Sequence, residues 1–138
     1  MAALTITPSQ VIQGEDAKIA QGRLGATVTA GQPVYFDENT RRYYPADANT
    51  TLQGADVVGI PLNGGAAGQS VRIQTEGTIT LGAGAAPVVG TVYVLGAIAA
   101  GDIVPAADLA SGWYRTILGV GASDNTLVLG IFASGVLP

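Results

Sequence analysis

The strongest pattern in the chain is a two-residue alternation from Ser70 to Leu81. Val71, Ile73, Thr75, Gly77, Ile79 and Leu81 alternate with Ser70, Arg72, Gln74, Glu76, Thr78 and Thr80. Such a period sends successive side chains to opposite faces of a sheet, so the segment predicts a half-buried strand pair or one long bent strand. Gly77 stands where a bulge or kink is expected. Shorter runs predict strands at Leu4 to Ile12, Ala17 to Gln21, Pro33 to Phe36, Arg41 to Tyr44 and Val57 to Leu62. Three more follow at Thr91 to Leu95, Thr116 to Val120 and Thr126 to Phe132. Gly, Pro, Thr and Val interrupt nearly every window in which apolar residues might recur with a helical period. Only Ala106 to Gly112 is suited to a short helical turn. Asp37-Glu38-Asn39-Thr40 and Ser123-Asp124-Asn125 read as hairpin turns, and Asn63 to Gly68 as a longer surface loop.

The strands recur in a diverged duplication. Gly31-Gln32-Pro33-Val34-Tyr35, Tyr44-Pro45-Ala46-Asp47, Val58-Gly59-Ile60, Val71-Arg72-Ile73 and Gly77 form a first copy. Gly90-Thr91-Val92-Tyr93, Val104-Pro105-Ala106-Ala107-Asp108, Leu118-Gly119-Val120, Leu127-Val128-Leu129 and Gly135 form a second, offset by about 56 to 61 positions. The expected fold is all-β: a small β-barrel or sandwich that two similar half-barrels build, with an extended N-terminal arm. Residues 1–25 make up the arm and residues 26–138 the barrel-like domain. The arm either closes the barrel or reaches across to a neighbouring subunit.

Composition changes this picture in one respect. Charged residues are 12% of the 138, about half the usual quarter, so part of the exterior is expected to be covered. The net charge is -4, with no basic cluster beyond Arg41-Arg42, and the counterion displacement that nucleic-acid binding requires is not supplied. No apolar run approaches the roughly 18 residues of a membrane span, and the amino terminus lacks the pattern of a secretory signal. The expectation is a soluble protein that is not exported by the Sec route, with neither nucleic acid nor membrane as partner.

Catalytic chemistry finds little to work with. Histidine and cysteine are absent, which removes the commonest general base, the thiolate nucleophile and the usual soft metal ligands. The carboxylates Glu15, Asp16, Asp37, Glu38, Asp47, Asp56, Glu76, Asp102, Asp108 and Asp124 mostly neighbour Gly, Asn or Ala and read as solvated or capping turn residues. No spacing resembles a calcium loop, and Gly64 to Gly68 lacks the Lys-Ser or Lys-Thr ending of a phosphate cradle. Asn49-Thr50-Thr51 matches a glycosylation acceptor only by coincidence, there being no export signal. The chain is therefore expected not to be an enzyme, with no catalytic, cofactor-binding or metal-binding residue and no cofactor. Arg41-Arg42-Tyr43-Tyr44 is the one concentrated patch of cations and aromatics, either a contact hot spot or an ordinary strand. Trp113-Tyr114-Arg115 carries the same two readings, with the tryptophan better suited to plugging a core.

Three segments stand in a distinctive order: Val28-Thr29-Ala30-Gly31-Gln32-Pro33-Val34-Tyr35, then Asp56-Val57-Val58-Gly59-Ile60-Pro61-Leu62, then Ala67-Gly68-Gln69-Ser70-Val71-Arg72-Ile73 followed by Glu76-Gly77. In these segments and their order the chain resembles the small Gly/Ala/Val/Thr-rich head decoration, or cement, proteins of tailed bacteriophages. It implies a β-barrel-like virion protein on the outer capsid surface, made in the bacterial cytoplasm and assembled after the shell expands. It implies as partners the major capsid protein and the chain itself, as a homo-oligomer for which a trimer is favoured. Candidate capsid or subunit contacts are Ala2, Leu4, Ile6, Val11 and Ile12 of the arm, with Arg41, Arg42, Tyr43 and Tyr44. The competing readings are a tail, baseplate or fibre module with a glycan-binding surface on Tyr43, Tyr44, Trp113 and Tyr114, a carboxylate-dependent enzyme, and a self-assembling scaffold with no separate ligand.

Overall fold

A computed structural model describes residues 6, 10–14, 16–47, 56–82, 87–96, 102–108, 114, 116–122 and 126–133. Strands account for 60% of the described residues, among which no α-helix occurs, so the all-β expectation holds. The strands are β1 (Val11–Gln13), β2 (Lys18–Arg23), β3 (Val34–Asp37), β4 (Arg42–Pro45), β5 (Val57–Pro61) and β6 (Ser70–Leu81). Then come β7 (Val92–Leu95), β8 (Ile103–Pro105), β9 (Thr116–Ala122) and β10 (Thr126–Ala133). All pair antiparallel in one curled half-barrel sheet of order β4-β3-β5-β6-β10-β9-β7-β8, with β1 and β2 added along β6.

The Ser70–Leu81 alternation makes one long bent strand, not a pair. Its first half pairs with β5 and β2, its second half with β10 and β1. Two strands bonded to the same residues must lie on opposite edges, so β6 is flanked on both sides at Ile73–Gln74 and again at Ile79–Thr80. The segment 11–23, read from sequence as part of an arm, thus closes onto its own sheet.

The expected irregularity near Gly77 has a larger effect than a bend. Lys18 pairs with Glu76 and Ile19 with Gln74, so Thr75 is an extra residue on β6, and Gly77 follows with φ +94°. An extra residue reverses which face the later side chains occupy. Val71 and Ile73 accordingly pack with Leu24, Val28 and Val34 in a small core, while Ile79 and Leu81 join the larger one. That larger core holds Ile60, Tyr93, Leu95, Ile103, Leu118, Leu127 and Leu129 among others. A Cβ at residue 77 would sit 2.6 Å from the Asp16 carbonyl oxygen, so both the backbone angle and the space select glycine.

The duplication is visible in the pairing. Val34 faces both Pro45 and Gly59, and Tyr93 faces both Pro105 and Gly119. Each copy has a register shift at the next residue, Tyr35 to Val57 and Val94 to Ile117. Each is entered by a turn with a positive-φ glycine, Gly31 (+88°) or Gly90 (+83°), whose N–H donates to Pro61 or Gly121 at 2.9 Å. The last strand departs from the sequence alignment. Register sets Ile73 against Leu127, two residues away from the match of Val71 with Leu127, because the loop after β5 is longer than the one after β9. A slip of two keeps the same face.

Strand β8 is absent from the sequence-based expectations, because three consecutive apolar residues carry no alternation. The helical turn is a 3₁₀ turn at Ala106–Asp108. Trp113, Arg115 and the Ser123 to Asn125 turn lie outside the described residues, as do Ala2 and Leu4.

Gln74 is fully buried and ties the irregularity together. Its Nε2 donates to the carbonyl oxygens of Glu76 (3.1 Å) and Thr78 (2.9 Å), while its Oε1 has no protein partner. Gln74→Leu is expected to cost about 1 kcal/mol in urea denaturation, since the Glu76 carbonyl loses a donor and the Thr78 carbonyl keeps only that of Gly14, while one unpaired buried acceptor is removed. Gln74→Glu should cost more at neutral pH, because a carboxylate then faces both carbonyls, and should recover towards the leucine value in acid.

Candidate interaction surfaces

The first surface is the β3–β4 hairpin. Asp37 shapes its turn: the carboxylate Oδ1 accepts from the N–H groups of Asn39 (2.8 Å) and Thr40 (3.3 Å). Arg41 closes the turn at φ +58°, its N–H donating to the Asp37 carbonyl oxygen at 2.7 Å. Register then pairs the aromatics across the strands. Tyr35 and Tyr44 stack at 5.7 Å between centroids on one face, and Phe36 and Tyr43 meet at 5.1 Å on the other.

The two β4 tyrosines are half-buried because residues 22–25 run along the edge of β4, bridging at Leu24 and Tyr43, and press against both rings. A Cβ on Gly22 would collide with the Tyr43 ring, and one on Gly25 with that of Tyr44. The Tyr44 hydroxyl donates to Thr40 Oγ1 (3.1 Å) and Arg42 Nη1 donates to the Leu24 carbonyl oxygen (3.3 Å). Of the four residues in the cation and aromatic patch, Arg41 is exposed, while Arg42, Tyr43 and Tyr44 are half-buried and engaged by their own chain. Tyr114 is half-buried against the larger core.

Beside the hairpin lies an open depression of about 580 Å³ lined by Gln21, Arg23, Asn63, Ser70 and Arg72. Both arginines spend one N–H on the chain, Arg72 Nη2 on Gln13 Oε1 (2.7 Å) and Arg23 Nη1 on the Gly68 carbonyl oxygen (3.0 Å). Among the described residues no three His, Cys, Asp or Glu side chains gather closely enough to hold a metal ion.

The second surface is the outer face of the other half of the sheet. Register aligns Val92, Val120, Val128 and Thr78 in one row across β7, β9, β10 and β6. A second row aligns Ala122, Thr126, Thr80 and Ile12 across β9, β10, β6 and β1. Neither row contains a charged residue. Ile12 is 60% exposed, Val128 45% and Val120 40%. The exposed Val88–Val89 turn lies outside these rows, since Val88 sits over the core-facing side of Gly121, where its N–H donates to the Tyr93 hydroxyl. Six large apolar side chains are exposed among the described residues, and these are Ile12, Val88, Val89, Val92, Val120 and Val128.

Of the arm residues expected at a partner contact, Val11 is buried in the chain's own larger core and Ile6 packs against it, close to Gly31. Ile12 points outward into the second row. The remainder of that row and of the valine row is not in the sequence-based set. One signal does exist in the sequence: after Glu76 the only charged residues are Asp102, Asp108, Arg115 and Asp124. No protein-family model matches the chain, and no curated protein matches it.

Burial holds the Tyr35 hydroxyl above its ordinary pKa of 10.0, with the nearby Asp37 charge and Tyr44 adding to the effect. A raised pKa in the folded state means that the unfolded chain releases its proton first. The associated stability is complete below pH about 10 and is lost as pH rises through the folded value. Ultraviolet titration is expected to show Tyr35 ionising earlier in Asp37→Asn, whose side-chain oxygen still accepts the turn hydrogen bonds. Tyr35→Phe should flatten the alkaline loss of stability.

Proposed function

We propose that this chain is a structural virion protein that binds the outer surface of the expanded bacteriophage capsid and stabilises it against the pressure of packaged DNA. The observation that carries the reading is the division of one sheet into a charged, aromatic hairpin end and a broad uncharged face. Apolar surface left open on a sheet favours association, and a protein fixed in a shell lattice has its own kind and the shell as neighbours. The segmental resemblance to head decoration proteins supports the same reading.

In this role the protein is not an enzyme and uses no cofactor. Its partners are the major capsid protein and further copies of itself, for which the resemblance favours a trimer, and neither nucleic acid nor membrane takes part. The shell contact is assigned to the arm ahead of Ile6, with Ala2 and Leu4, and to the hairpin end around Arg41. Val11 and Ile6 anchor that arm, and Arg42, Tyr43 and Tyr44 hold the hairpin. Binding only the expanded lattice shifts the shell equilibrium towards expansion by mass action. Several modest contacts per oligomer sum to firm attachment through effective concentration.

Co-sedimentation with stripped, DNA-filled heads tests the proposal. Saturable binding to expanded heads and none to compact precursors is the expected result, with Arg41→Glu lowering occupancy. Absence of binding to expanded heads rejects it. Glycan binding abolished by Tyr44→Ala would then favour a tail or fibre module, for which the stacked Tyr35 and Tyr44 rings supply the platform.

A further inference from the structure

We infer that the depression between β2 and β6 is a carboxylate-binding site that takes an acidic segment of a partner protein.

Register builds the site. Gln21 and Arg23 lie two apart on β2 and face Arg72 and Ser70 on β6, so all four side chains share the face opposite Val71 and Ile73 of the small core. Arg23 and Arg72 are thus diagonal neighbours across the strands, roughly 7 to 8 Å apart. Asn63 walls the depression from the loop after β5. Its Oδ1 accepts from the Arg72 backbone N–H (2.8 Å) and its Nδ2 donates to the Ser70 carbonyl oxygen (3.1 Å). Each guanidinium is tethered by one N–H to a neutral acceptor, Arg72 to Gln13 and Arg23 to the Gly68 carbonyl, which fixes its place and leaves further donors for a ligand. A third cation stands alongside, since Arg42 Nη1 donates to the carbonyl oxygen of Leu24, the residue after Arg23.

Charge singles the site out. The chain has ten acidic residues against six basic ones, yet no carboxylate lines the depression among the described residues. Lys18, on the same strand as Arg23, has its acid, Glu76 at 3.1 Å, whereas the two arginines meet neutral groups. Like charges on neighbouring strand positions repel, and an anion seated between them removes that cost.

The donors and the shape select the ligand. A guanidinium fork matches a carboxylate or a phosphate, but a nucleic-acid backbone requires a line of cations that this chain does not supply. A free small molecule needs a pocket that encloses most of its surface, and this depression of about 580 Å³ is open. The acid is therefore one presented by a protein that is held by a wider contact. In the role proposed above that protein is the shell subunit, and the inference rests on that role for the partner's identity alone.

Nuclear magnetic resonance of the full chain at low salt, free of phage heads, tests the site with the peptide acetyl-Gly-Glu-Glu-Gly-amide as probe. The peptide is expected to shift the amide signals of residues 21–23, 63 and 70–72 saturably, and its Gln-Gln counterpart to leave them in place. Arg23→Gln and Arg72→Gln should each raise the dissociation constant about threefold, the size of an exposed ion pair, and added salt should raise it too. An unchanged melting curve checks the fold, and Arg72→Lys, which keeps the charge without the fork, serves if Arg72→Gln melts early. Equal shifts from the Gln-Gln peptide, or undiminished binding by the doubly substituted chain, overturn the inference. Tighter binding of inorganic phosphate than of the peptide also overturns it, because the site is then one for free oxyanions. Peptide binding without head binding rejects the capsid proposal and keeps this site, and head binding without peptide binding does the reverse.

Discussion

A strand has two edges, and in this molecule each half of β6 is bonded on both of them, by β5 and then β10 on one edge and by β2 and then β1 on the other. The rest of the fold follows from that arrangement. The two copies of the duplicated unit do not touch as separate bodies but join through β6 and β10 as one continuous sheet. A continuous sheet must stay in register across the join. The extra residue at Thr75, the positive φ of Gly77 and the Gln74 amide absorb the change there. Moving the irregularity along the strand would redistribute side chains between the two cores.

This junction also explains why two copies with the same pairing differ in surface. In the first, residues 24–30 cross the outer face and Leu24 and Val28 close a small core over Val34, Val71 and Ile73. Hydrogen bonds hold that crossing segment, from Val28 N–H to the Gly65 carbonyl oxygen (3.0 Å) and from Gly65 N–H back to Val28 (2.9 Å). The second copy turns the equivalents of Val34 and Ile73 into the larger core and shows valine and threonine on its outside. Charge follows the same division, with most of it on the half that includes the hairpin. A rigid sheet with one charged end and one apolar face is suited to a protein that sits between unlike neighbours, which is the role proposed for it.

Much of this architecture was legible in the sequence. Alternation along Ser70–Leu81 located the central strand, and glycine, proline and asparagine marked the turns, because side-chain period and turn chemistry are local properties. Matching Val104-Pro105 with Tyr44-Pro45 put the unpatterned residues of β8 opposite β4 in the duplication. Arg41 to Tyr44 was legible as a cation and aromatic cluster, although the engagement of both tyrosines by Gly22 and Gly25 was not.

By itself the sequence determined the all-β class, the duplicated unit, the absence of histidine and cysteine chemistry and the shortage of charge in the second half. Tertiary structure alone decided which faces are covered. The odd-numbered apolar residues of β6 look like one stripe, yet one extra residue sends Val71 and Ile73 to one core and Ile79 and Leu81 to the other. Likewise Val120 and Val128 read as core valines within apolar strands, and only cross-strand register with Thr78 and Val92 sets them together on the outside. Burial is a property of what lies across the sheet, and residues that meet there are dozens of positions apart in the chain.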